Sequence, residues 1–222
     1  MARKKPERRA DVLNEMADYI LGSGMSDATL RPAAAAIGTS TRTLLYHFRS
    51  KEELLVEALK EVRRREVAML GQELAELPRG SVAEVMRAIW RWYSSPARIP
   101  YLKLFFEAWG VSLHRPFLYE GFLREVKQDV VDLMIPVIEG YGYPPHQAAA
   151  VATFFVAAFR GLLIDLVANE QDRRRLDDAM EIFIGNTEVM LIEGRNVATR
   201  VLGETPAGGG RRRSAGRRAK RG

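Results

Sequence analysis

Cysteine is absent from this chain, and its absence removes a disulfide framework, a thiolate zinc site and a thiol nucleophile together. Histidine is scarce: His47, His114 and His146 are scattered without metal-ligand spacing, so no metal site is expected. No Gly-rich phosphate loop, nucleophile elbow or paired-histidine helix occurs, so neither an enzyme activity nor a cofactor is expected. The period-two alternation of a half-buried strand is missing, which leaves an all-α chain. The first nine residues are basic, but no apolar run follows to make a signal peptide. The expectation is a cytoplasmic protein.

What is present is charge in particular places. The net charge is +6, yet 211–221 carries seven basic residues and no acid, and removing them takes the chain to −1. The N-terminal Arg3, Lys4, Lys5, Arg8 and Arg9 stand against Glu7, and without their net four charges residues 10–210 sum to −5. Basic patches set on an acidic body are the footprint of a polyanion partner.

A third cationic stretch is Thr29 to Lys51, with Arg31, Arg42, Arg49 and Lys51 and no acid. It reads as two short helices around a turn. The first runs from Leu30 to Ile37, with Thr29 as its side-chain cap and Pro32 in the first turn, where a missing amide hydrogen costs nothing. Gly38 supplies a left-handed turn residue, and Ser40 caps the second helix, which continues through Phe48. Small residues at Ala34 and Gly38 would let the helices cross closely, and Ile37, Leu44 and Phe48 supply apolar anchors. Thr41, Arg42, Thr43, Tyr46 and His47 then face outward. Such a face suits a DNA major groove, although an ordinary helical hairpin with a solvated face fits the segment too.

Around this hairpin the chain reads as helices. Val12, Leu13, Met16, Ala17 and Ile20 give the preceding helix an apolar stripe that ends at Gly22-Ser-Gly24. Ser50 to Glu53 is a capping box for a long helix with Leu54, Leu55, Ala58, Leu59 and Val62 inside, running toward Leu77. Ser81 to Glu84 is a second box, opening a helix with Val85, Met86, Ile89, Trp90 and Tyr93 on one face. Helices over 101–113 and 117–141 follow, the latter kinked by Pro136. The stretch 148–168 is apolar enough to raise a membrane, but Arg160 and Asp165 inside it argue for a buried helix. A small row, Ala149, Thr153, Ala157 and Gly161, lies beside a bulky one, Val151, Phe155, Phe159 and Leu163. The final helix, 174–193, carries Leu176, Met180, Phe183, Thr187 and Met190 at helical spacing.

The run Gly-Thr-Ser-x-x-Thr-Leu-Leu-Tyr-His-Phe-x-Ser-Lys-Glu-Glu-Leu, from Gly38 to Leu54, resembles the signature of TetR-family transcriptional regulators. The resemblance covers about residues 10 to 60. It implies a three-helix helix-turn-helix domain followed by a larger helical ligand-binding and dimerisation domain. The expected divisions are 1–9, a basic arm; 10–55, the DNA-binding head; 56–200, the body; and 201–222, a disordered Gly/Arg-rich tail.

By the same resemblance the partners are double-stranded DNA, a second copy of the chain and an unknown small-molecule effector, with no membrane. Arg31 and Arg42 would meet guanine edges, and Thr41 and Thr43 bases or thymine methyls. Tyr46, His47 and Lys51 would hold phosphates, and Thr39 and Ser40 complete the set. The sequence departs from the pattern at Leu45, where the family has tyrosine, and at Ala33, where it has a larger aliphatic residue. Leu45 either packs inward or touches a thymine methyl. The helices over 148–168 and 174–193 would form half of an intermolecular four-helix bundle, or else finish the monomer core. An effector pocket in the body would be lined by Trp90, Tyr93, Phe105, Trp109, Phe122 and Phe155, and Glu107, Arg160 and Asp165 are ligand contacts or internal ion pairs. The function expected is a dimeric repressor released from a pseudo-palindromic operator by its effector. The alternative is a sequence-independent, nucleoid-type binder driven by the basic arm and tail.

Overall fold

A computed structural model describes residues 5–76, 81–169 and 171–202. Arg3, Lys4, the expected helix end at Leu77 and almost all of the basic tail lie outside the described residues.

The described residues form an all-helical fold. Helix α1 (Lys5–Ser23) packs along the long α4 (Lys51–Ala75), with α2 (Leu30–Ala36) and α3 (Thr41–His47) held at one end of the pair. Because α1 begins at Lys5, the backbone of Lys5 to Arg9 belongs to a helix. The body comprises α5 (Val82–Tyr93), α6 (Ile99–His114), α7 (Pro116–Lys127), α8 (Leu133–Gly140), α9 (Pro145–Ala168), α10 (Arg173–Glu193) and α11 (Arg195–Leu202).

One core runs through both parts. Met16, Leu44, Phe48, Leu54 and Leu59 from the head join Leu102, Leu104, Phe122, Leu176 and Met180 from the body in one buried cluster. Each side chain of this size adds roughly 1.5–3 kcal/mol by burial. A second cluster, with Ile138, Tyr143, Val151, Phe155 and Leu191, closes the far end. Arg65 ties α4 to α1, donating to Asp18 at 2.6 Å and to the Asn14 side chain at 2.9 Å, while Glu61 of its own helix accepts from it at 2.8 Å.

Two breaks and one helix face differ from the expected pattern. Between α7 and α8 the bend is a π-helical turn, Gln128–Asp132, lying just before Pro136 rather than at it. Pro136 has no N–H to return to Asp132, so the preceding turn widens. Among the described residues the last helix is α11, beyond the break at Gly194, not the helix ending near Glu193. Along α10, the row Leu176, Met180 and Thr187 faces the monomer core, so it does not form an outer bundle face. The exposed row there is Ile182, Val189 and Ile192.

Candidate nucleic-acid interface and body core

The hairpin is fixed by local chemistry. Gly38 ends α2 with φ +66°, and a methyl group added there would meet nothing within 4 Å. The glycine is therefore needed for its left-handed backbone, not for a close helix crossing. Ser40 caps α3, its Oγ accepting from the Thr43 N–H at 3.1 Å and lying 2.9 Å from the Thr43 hydroxyl. Thr29 does not cap α2 through its side chain; its carbonyl accepts from Ala33 N–H at 3.0 Å. Leu44 and Phe48 are fully buried. Ala33 is buried too, so its small side chain seats α2 closely on the core.

These anchors leave one outward face. Arg31, Ser40, Arg42, Leu45 and Tyr46 are exposed, while Thr39, Thr41, Thr43, His47 and Lys51 are half-buried. Leu45 is 45% exposed, so it does not pack inward. Tyr46 is 65% exposed and meets the His47 ring edge-on, with centroids 5.2 Å apart. Arg9 lies over the Phe48 ring at 4.6 Å and within 4.0 Å of Glu57, so it is docked on the head. Lys51 opens α4, where Ser50 Oγ accepts from Glu53 N–H at 3.0 Å. The Glu53 carboxylate reaches past Ser50 to the Arg49 N–H at 2.9 Å, so the expected box is shifted by one residue.

Head and body meet at Glu107 on α6. Its carboxylate accepts from the backbone N–H groups of Met25 at 2.8 Å and Ser26 at 2.6 Å, and from the Ser26 hydroxyl. Gly24, with φ +78°, lies directly beneath, its ideal Cβ position 3.0 Å from Glu107 Oε2. The joint between α1 and α2 is thus clasped by a side chain from the body. The sequence gives no sign of it, because the partners are backbone amides 81 and 82 residues away.

The six aromatic residues expected around a pocket do not share one site. Tyr93 stacks on Tyr101 at 6.1 Å, and Phe105 contacts Tyr101, Trp109 and Phe122 at 6.1, 5.8 and 6.0 Å, so these rings form one continuous series. Burial pushes the Tyr93 hydroxyl well above its ordinary pKa. Trp90 instead joins α5 to α10, its indole donating to Asp177 at 2.7 Å. Phe155 belongs to the second core cluster. Asp165 is paired with Arg175 at 3.1 Å, and its carboxyl is held below its ordinary value by hydrogen bonds from Asn169 and Arg175. Cavities among the described residues include two near the joint of head and body. One of about 470 Å³ lies between the end of α1 and α6, beside Gly24, Lys103 and Glu107. A smaller one of about 150 Å³ is lined in part by Val62, Glu66 and Tyr101.

Sequence reading missed two buried charges on α4, Arg63 and Glu66. Glu66 accepts from the Trp92 indole at 2.6 Å and pairs with Arg98 at 3.4 Å, and burial raises its pKa against those two partners. Arg160 lies over the Trp109 ring at 4.2 Å.

A model of the family described as "Bacterial regulatory proteins, tetR family" matches residues 21–58, the hairpin and its flanks. The regulator BetI of Klebsiella pneumoniae is 28% identical over 117 residues, which are 52% of this chain and 60% of that protein. The chain thus aligns with about three-fifths of that relative's length. A transcriptional regulator from Rhodococcus superposes with a TM-score of 0.66 at 23% identity, over 89% of this chain and 99% of its own. A regulator from Saccharomonospora viridis, solved in complex with choline, gives 0.60 at 23% identity, over 80% and 97%. At that identity the likeness is one of fold. Residues 21–58 thus carry the DNA-binding hairpin of the TetR family, set on a body that shares the fold of solved regulators.

Proposed function

We propose that this chain is a homodimeric, sequence-specific repressor that binds a pseudo-palindromic operator and leaves it when a small-molecule effector occupies the body. The observation that carries the reading is the outward face of α3, where Arg42, Leu45 and Tyr46 stand exposed on anchors that are fully buried. An exposed guanidinium can meet guanine in two places, an exposed leucine can cover a thymine methyl, and Tyr46, His47 and Lys51 suit the flanking phosphates. Arg31 on α2 suits a base edge, and Thr39, Ser40, Thr41 and Thr43 lie beside it at the start of α3. The Thr43 hydroxyl is already near Ser40, so its part is to shape the turn as much as to touch DNA.

Dimerisation is supported by apolar surface on two neighbouring helices. On α9, Phe154 and Ile164 stand exposed with Ala157 and Gly161 between them, and on α10 Ile182, Val189 and Ile192 do the same. The α9 helix is long and apolar enough to cross a membrane, yet only a third of its most apolar window is buried in the monomer. A second copy covering this face would form the four-helix bundle and set the two heads side by side.

Effector control needs a path from body to head. Helix α6 offers one, because Trp109 in the aromatic series and Glu107 on the α1–α2 joint are two residues apart on it. A shift of α6 would pull on the amides of Met25 and Ser26, just before the reading hairpin. The relative that holds choline lends support to a body with a ligand site.

Selection of bound sequences from random duplex DNA tests the reading. The expected product is an inverted repeat whose half-sites lie roughly 34–36 Å apart. Salt-sensitive binding with no enriched sequence would replace the reading with the nucleoid-type alternative carried by the basic arm and tail.

A further inference from the structure

Between α4, α5 and the start of α6 the fold seats one of its own guanidinium groups against a buried acid. Glu66 on α4 is 3% exposed. One of its carboxylate oxygens accepts from the Trp92 indole at 2.6 Å, and the other faces Arg98, the residue just before α6, at 3.4 Å. The Arg98 guanidinium lies over the Trp92 ring at 4.0 Å and borders the Met69 sulfur at 4.0 Å. Its side chain is 23% exposed, so it already touches water. The cavity of about 150 Å³ lies beside this group: Glu66 and Arg98 line it together with Leu21, Val62, Met69 and Tyr101. Arg65 borders the same space, but it is tied to Asp18 and Glu61.

The seat fits a guanidinium, yet Arg98 fills it incompletely. A charged N–H group on a carboxylate settles at roughly 2.7–2.9 Å. The 3.4 Å contact to Glu66 is loose by that measure, and the thioether that the other side of the group meets is a weak acceptor. The empty space alongside leaves apolar walls without contacts they would otherwise make. An untethered guanidinium could move closer to Glu66, keep the indole beneath it and carry a substituent into the cavity, while Arg98 regains its hydration outside. Whatever displaces Arg98 must itself be positive, because a buried carboxylate stripped of its counter-charge is strongly disfavoured. A quaternary ammonium has the charge but no N–H to give to Glu66.

We propose that this cavity is a binding site for a small guanidinium or amidinium compound, which replaces the Arg98 side chain on Glu66 and Trp92 and lodges its apolar substituent among Leu21, Val62 and Tyr101. Arg98 is an internal stand-in that holds the site until the ligand arrives. The size of the cavity limits the substituent to a short alkyl chain or a single ring. That this ligand is the effector rests on the reading of the body as an effector domain. On that reading, displacing Arg98 frees the start of α6, the helix that carries Glu107 to the α1–α2 joint, and the substituent presses on Leu21 near the end of α1.

The test measures ligand binding by calorimetry on the full chain without DNA, so that it does not depend on operator recognition. Burial raises the Glu66 pKa, so the buffer is mildly alkaline to keep the carboxylate ionised. The probes are benzamidinium and butylguanidinium, their neutral counterparts benzamide and butylurea, and tetramethylammonium. The expected result is that one or both planar cations bind at least tenfold more tightly than their neutral counterparts and than tetramethylammonium. Arg98→Ala removes the stand-in and should tighten that binding by about tenfold or more, whereas an arginine that itself held the ligand would weaken it on removal. Arg98→Gln carries the same expectation should the alanine variant fail to fold. Glu66→Gln, which keeps an acceptor for the Trp92 indole, should erase the preference for charge. Overturning results are equal binding of charged and neutral probes in both wild type and the Arg98 variant, tighter binding of tetramethylammonium, an affinity that the Arg98 variant leaves unchanged or weakens, or a preference that survives Glu66→Gln. Release of selected operator DNA is scored separately. A planar cation that binds through Glu66 without releasing DNA upholds the site and contradicts its role as the effector site, whereas operator binding by a chain with no charge preference removes the site and leaves the repressor reading standing.

Discussion

Head and body place their cations differently. In the head, Arg31, Arg42 and Arg49 all lie on the surface, over a core of Leu44 and Phe48 that carries no charge. Farther in, Arg63 of α4 is buried and Arg160 of α9 is half-buried against an indole. Surface arginines keep their hydration, cost the fold little and act through a field that salt screens. Interior arginines lose that hydration, and the fold must supply contacts in its place, as the Trp109 ring does under Arg160. The contrast separates a face open to a large, hydrated polyanion from interior cations held by the fold itself, and Glu107 joins head to body.

The largest expected effect breaks the contrast at its foundation. Phe48→Ala removes a fully buried ring and should cost about 3–5 kcal/mol in denaturant unfolding. Because head and body share one core, the loss should appear in a single transition; a separate early melting of the head would contradict the shared core. Arg42→Ala should leave fold and dimer intact but cut the preference for the selected site by roughly 10–100-fold, or about 1–3 kcal/mol, in competitive binding. Gly38→Ala should cost about 1–2 kcal/mol from its left-handed backbone alone, since the methyl group has room. A thermal scan that finds no change would remove the argument for that turn.

Smaller effects sharpen the link between the regions. Glu107→Gln retains one acceptor for Met25 and Ser26 and should weaken effector-driven release by roughly 0.5–2 kcal/mol of coupling, with little change in operator affinity without effector. Glu66 gives a pH signature. Its folded pKa lies above its ordinary value of 4.5, so its stabilising contribution is full below that value and is lost as pH rises through the folded pKa. Wild type should therefore lose stability relative to Glu66→Gln as pH climbs from about 4.5 toward neutrality. A constant difference across that range would show that burial does not dominate at Glu66.

Much of the head is legible in the sequence because its determinants are local. Ser40, Gly38 and the 3–4 spacing of Leu44 and Phe48 act within a turn or two, and each sits where the pattern puts it. Thr29 and Glu53 show the limit of that logic: one lends a carbonyl instead of a side chain, and the other reaches one residue further back. In the body, helix existence follows from apolar rows, but breaks such as Gln128–Asp132 and α11 depend on packing. The bulky row of α9 faces inward and its small row largely outward, yet Phe154 and Ile164 on the open side carry no periodic signal of their own. Six aromatic residues were grouped by composition, and only the fold divides them among a ring series, the α5–α10 joint and the second core. Glu107, expected as a ligand contact or ion pair, instead holds backbone amides, and Arg63 carries no signal of its burial, since the surroundings of both come from distant segments.

The most direct test of the account is the ratio of affinities of the full chain for its selected duplex and for a scrambled duplex, measured across a salt series beside Arg42→Ala. The account predicts a wild-type ratio of about a thousandfold or more at physiological salt, a fall of roughly 10–100-fold in that ratio for the variant, and salt slopes that differ by no more than about one. A wild-type ratio near one, with both proteins equally salt-sensitive, would contradict it and leave a binder that recognises only the phosphate backbone.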